Sequence, residues 1–115
     1  MQETTLPFMN FKHTGFKEDG VNVTVRLGDK WARLSLGQEF VAGSTKEGTA
    51  CLASVIGVKL VQWQALSEAD LQDEHVELAR TKEGLKAILQ DHYGFAEIQD
   101  DSPWTVVMFK LVKES

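Results

Sequence analysis

Residues 20–31 read GVNVTVRLGDKW. Val21, Val23 and Val25 recur with the period of two that marks a half-buried strand, and their β-branched side chains suit one. Asn22, Thr24 and Arg26 therefore share the opposite face. An amide, a hydroxyl and a guanidinium on one strand face either meet water or line a cleft, and the choice depends on what surrounds this strand.

Other strands flank it. TLPFMNF (5–11) reads as a first strand, and KWARLSLGQEFVAGSTKEGTA (30–50) as short strands joined by turns at Gly37 and at Gly43 to Gly48. CLASVIGVKLVQW (51–63) is a long strand rich in valine and isoleucine, and Gly57 predicts a bulge or bend that lets a sheet curl. PWTVVMFKLV (103–112) is a closing strand entered through the turn signal DDSP.

Two helices interrupt this pattern. In LSEADLQDEH (66–75), Ser67 is a good N-cap for the Asp70 amide, and the Asp70 carboxylate can reach back to complete a capping box. Leu66 and Leu71 have the spacing of a hydrophobic staple. In TKEGLKAILQDHYG (81–94), Thr81 is the cap, Leu85, Ile88 and Leu89 form the buried stripe, and Gly94 is a left-handed stop. The predicted architecture is α+β: a small mixed β-barrel with residues 21–27, 51–63 and 104–112 in one curved sheet. Short helices starting near Ser67 and Thr81 flank it. The 115 residues, 43% of them hydrophobic, read as one domain with an ordinary core.

Composition narrows the function. The net charge of −5 argues against coating nucleic acid by bulk electrostatics, which relies on Lys and Arg neutralising phosphates. The charge is uneven, however: residues 1–60 hold seven Lys/Arg against six Asp/Glu, and residues 61–115 hold five against eleven. Lys12, Lys17, Arg26, Lys30 and Arg33 lie in one segment with three acids, so a local basic patch is compatible with an acidic protein. The single cysteine, Cys51, sits in an apolar run and reads as a small buried thiol in a reducing compartment. The N-terminal sequence has no basic segment followed by a long apolar one, and no uncharged run approaches bilayer length. A cytoplasmic protein without membrane partners is expected.

His13, His75 and His92 have no metal-site spacing, and one cysteine cannot complete a zinc quartet, so no metal is expected. Gly28-Asp29 is too short for a phosphate loop and there is no glycine-rich dinucleotide fingerprint, so no cofactor is expected.

The runs NVTVR (22–26), LSEADLQDEH, LKAILQDHYG (85–94) and VVMFKL (106–111) together resemble the ASCH family, a branch of the PUA-like β-barrels. Their order and spacing are similar to those of the small bacterial members that hydrolyse N4-acetylcytidine, and the resemblance spans about residues 15–113. It implies a PUA-like barrel. It also implies matched positions for the family's Gly-x-Lys stretch leading into Thr-x-Arg, and for its proposed lysine, threonine and glutamate trio. The threonine falls on Thr24, the arginine on Arg26 and the glutamate on Glu74, while the lysine position holds Val21, which can neither activate a hydroxyl nor stabilise an oxyanion. Gly15-Phe16-Lys17 keeps the Gly-x-Lys pattern four residues earlier, so Lys17 is the substitute. If it fills in, the catalytic set is Thr24, Glu74 and Lys17.

Three functions from different classes follow. One is a binding module in which Asn22, Thr24, Arg26, Lys17, Lys30 and Arg33 hold a nucleoside or short single-stranded RNA. Trp31 and Trp104 would offer stacking surfaces there, and Trp63 is assigned to packing. The second is an amidohydrolase acting on an acylated cytidine, and the third a protein-interaction domain. The binding module is favoured, because the fold resemblance is broad while the trio lacks its lysine.

Overall fold

The computed structural model describes residues 6–11, 15–74, 77–94 and 99–112. Five strands form one mixed sheet: β1 (Phe8–Asn10), β2 (Asn22–Leu27), β3 (Glu39–Ser44), β4 (Thr49–Gln62) and β5 (Pro103–Leu111), in the order β1-β3-β4-β5-β2. β1 runs parallel to β3 and every other pairing is antiparallel. In β4 the register shifts between Val55, opposite Phe109, and Gly57, opposite Met108, which leaves Ile56 as an extra residue. This is the bend expected at Gly57. A Cβ on Gly57 would lie 2.5 Å from Met108 Cε, so the missing side chain is also the space that Met108 fills.

The sheet curls into a half-barrel rather than a closed one. β1 and β2 are its two ends, and β1 has only three residues with which to pair. Its inner face carries Met9, Phe40, Ala42, Ala53, Val55, Val107 and Phe109, with Phe11 and Phe16 packed edge to face beside them, 4.9 Å apart. On the outer face Val23, Val25, Trp104 and Val106 meet Leu85 and Leu89 of α1 (Lys82–Tyr93), the one α-helix among the described residues. Both faces of β2 and β5 are therefore buried.

α1 is built as its sequence predicts. Thr81 Oγ1 accepts the Gly84 N–H at 3.1 Å, and Gly94 ends the helix in the left-handed region at φ 72°. The helix expected from Ser67 is corrected to a 3-10 turn over Glu68–Leu71. Its capping box is present, and Leu66 and Leu71 are buried as the staple requires. The turn stops because the next residues are taken by the sheet: the Val23 N–H donates to Asp73 O at 3.1 Å, and Glu74 forms a parallel bridge with Val23. Lys30–Arg33, expected within a short strand, is also a 3-10 turn, and it follows the left-handed turn at Gly28 (φ 80°).

Asp70 ties this turn to β4. Partial burial pushes its carboxyl up, but the Ser67 amide, Lys59 and the Ser67 hydroxyl outweigh that and hold it below the usual carboxylate value. A carboxyl whose folded pKa is depressed stabilises the fold above its unfolded pKa and loses that contribution as pH falls through the folded one. Asp70→Asn is thus expected to cost roughly 0.5–1 kcal/mol at neutral pH, in line with screened ion pairs and caps. The difference from wild type should shrink once the pH drops below the carboxylate range. Urea midpoints at neutral and acid pH check this.

Candidate functional site

The polar face of β2 lies on the inner side of the sheet. Asn22 stands opposite Phe109, Thr24 opposite Val107 and Arg26 opposite Thr105. Asn22 is fully buried and Thr24 nearly so, while Arg26 is half-buried at the rim. Asn22 Oδ1 accepts the Lys17 N–H at 2.9 Å, and Asn22 Nδ2 donates to Lys17 O at 3.0 Å. The amide is therefore a clamp on the loop that carries Lys17. Beyond that clamp the Lys17 ammonium donates to Asp73 Oδ1 at 3.3 Å.

At the other end of the face, Arg26 Nε donates to Thr24 Oγ1 at 3.3 Å, and the guanidinium carbon lies 4.3 Å from the centroid of the Phe11 ring. The ring is anchored in turn, since the Phe11 N–H donates to Gly43 O at 2.7 Å. A guanidinium layered on a fixed ring and steered by a hydroxyl presents its donor fork in one plane. Glu74 is 4% exposed, and its carbonyl accepts Arg80 Nε at 3.0 Å. Its bridge partner is Val23 rather than Thr24.

The remaining sequence-derived binding residues fall in a different place. Lys30, Trp31 and Arg33 line a groove of about 360 Å³ together with Pro7, Phe8 and Leu34. Lys30 and Arg33 are exposed, and Lys30 Nζ sits 5.1 Å above the Trp31 ring. Trp31 packs against the inner core. Trp104 is corrected: it is fully buried in the outer core, 5.8 Å from Trp63, and shows no ring face to a ligand.

Sequence reasoning passed over Phe11, Phe8 and Asp73. Asp73 had a visible signal, since it opens an acidic pair facing a basic segment in an otherwise separated charge pattern. Phe8 and Phe11 had none, because their partners are distant in the chain. Among the described residues no cluster of three or more His, Cys, Asp or Glu is arranged to hold a metal ion, and His13 and His75 lie outside them. No helix of the described residues is long and apolar enough to cross a membrane.

No family model matches the chain, and no curated protein matches it either. Two solved structures are similar. The ASCH domain from Lactobacillus crispatus JV V101 superposes with a TM-score of 0.65 at 14% identity, over 94% of this chain and 80% of that one. Protein EF3133 from Enterococcus faecalis V583 gives 0.58 at 15% identity, over 79% of this chain and 60% of that one. At such identities the likeness establishes the architecture: the chain has the fold of an ASCH domain.

Proposed function

We propose that the chain is a cytoplasmic binding module of the ASCH type. Its ligand is a nucleoside, or an unpaired nucleotide of a short single-stranded RNA, held at the polar face of β2. The observation that carries this reading is the Arg26 guanidinium, layered on Phe11 at 4.3 Å and steered by Thr24 at 3.3 Å. Such a fork suits the edge of a base, where two parallel hydrogen bonds add direction as well as affinity. Because its plane is already set, little rotamer freedom is lost when a ligand arrives. The net charge of −5 favours an uncharged nucleoside or a short strand over a long polyanion.

The amidohydrolase alternative needs a base and an ammonium at Thr24. Lys17 donates instead to Asp73, whose side chain is 53% exposed, whereas the neighbouring Glu74 is buried. This pairing draws the ammonium toward solvent and supports binding over chemistry.

Titration with cytidine, which carries no charge, tests the site. Arg26→Ala is expected to weaken binding about tenfold or more, the loss of one good bidentate contact. Lys30→Ala should stay within about twofold, because Lys30 lies in the separate groove. Equal losses would mean that cytidine is not held at the polar face of β2.

A further inference from the structure

The groove beside β1 is built rather than incidental. Phe8 is 45% exposed, yet its ring lies against Gly43 so closely that a Cβ there would come within 2.9 Å of it. The same Cβ would meet Thr49 O at 2.6 Å, so glycine is what lets the ring approach the strand. Val41 N–H donates to Pro7 O at 2.8 Å and fixes the chain just before Phe8. Trp31 and Leu34 are anchored from below by the inner core. The walls are thus set by the sheet at Pro7 and Phe8 and by the inner core beneath Trp31.

The charges are placed as regularly. Lys30 and Arg33 stand three apart in one 3-10 turn, a spacing at which side chains eclipse, so both cations rise on the same edge. The groove's lining includes Trp31, two cations and no carboxylate, within a chain whose net charge is −5. Its volume of about 360 Å³ lies at the small end of ligand pockets. Aromatic faces bind any base through its π-surface, and paired cations bind the phosphate attached to it.

We propose that this groove is a second nucleotide subsite, which takes one unpaired nucleotide of a single-stranded RNA. Its base lies on Trp31, and its phosphate meets Lys30 and Arg33. The Lys30 ammonium, now over the Trp31 ring, moves from ring to phosphate as the base stacks. The proposal takes its ligand class from the nucleoside-binding reading, but it uses none of the residues on β2.

Tryptophan fluorescence reads the site directly, because Trp63 and Trp104 are buried in the outer core and Trp31 is the ring a ligand reaches. A short oligoadenylate RNA is expected to quench it, with adenosine monophosphate weaker and adenosine weaker still. Lys30→Ser with Arg33→Ser changes two exposed side chains and leaves the fold alone. This double variant should bind the RNA about tenfold or more weakly. Its salt dependence should also become shallower by about 0.7 in log K against log salt, as expected when one phosphate of a single strand is no longer neutralised. Arg26→Ala should leave the quench in place, so cytidine binding that Arg26→Ala does not weaken, with the quench retained, would fail the β2 reading alone. No quench by RNA, or a double variant that binds like wild type, would overturn the subsite. Adenosine or adenosine monophosphate binding as tightly as the RNA would overturn its assignment to a strand.

Discussion

Asn22→Ala is expected to lower the unfolding free energy by about 3 kcal/mol, read from urea denaturation. Asn22 is fully buried and returns both backbone groups of Lys17, accepting the N–H and donating to the carbonyl. Truncation removes two hydrogen bonds and leaves their partners without compensation in a half-buried site, where each unmet group costs about 1–3 kcal/mol. Asn22→Asp should lose a similar amount, since a carboxylate oxygen would then face the Lys17 carbonyl. Lys17→Ala is the contrast: it removes only an ion pair between partly exposed side chains and should change stability by about 0.5 kcal/mol or less. A small effect of Asn22→Ala would mean that the loop is held by other contacts and that the amide is available to a ligand.

The second large effect separates binding from chemistry. Incubated with N4-acetylcytidine, the wild-type protein is expected to retain the nucleoside and release no acetate. Attack by Thr24 requires its proton to be taken in the transition state, a contribution of about 10² to 10⁴ in rate from a positioned base. The hydroxyl accepts from Arg26, and the Lys17 ammonium is engaged by Asp73. Acetate release by wild type would reverse this conclusion if it fell at least about a hundredfold in each of Lys17→Ala, Thr24→Ala and Glu74→Ala. Residues that act as a unit lose nearly the whole effect when any one is removed.

Local chemistry was legible in the sequence where local forces decide the outcome. β2 follows from alternation, β4 from its valine and isoleucine content, β5 from the turn signal before it, the bend at Gly57 from a glycine in a β-branched run, and α1 from Thr81 and Gly94. The turn at Glu68–Leu71 shows the boundary. Its capping box is readable in four residues, but its length is set by the Val23 amide, which claims Asp73 from about fifty positions away in the chain. The same division runs through the site. Alternation places Asn22, Thr24 and Arg26 on one face, yet it cannot say that Asn22 is consumed by Lys17 or that Phe11 lies under Arg26. Nor can it show that Lys30, Trp31 and Arg33 belong to a groove with Phe8, since that depends on how the sheet brings its first strand beside the 3-10 turn.

The extra residue in β4 has a meaning for insertions and deletions. Val55 faces Phe109 on the inner side, and after the shift Gly57 pairs with Met108 and Val58 with Val107. Ile56 is itself 42% exposed. A homologue lacking this one residue would keep every later β4 side chain on its present side of the sheet, because the deletion restores plain alternation instead of inverting it. Curvature and core composition are thus written by different residues. Descent can therefore change the radius of this half-barrel through a single codon without rewriting what the strand buries.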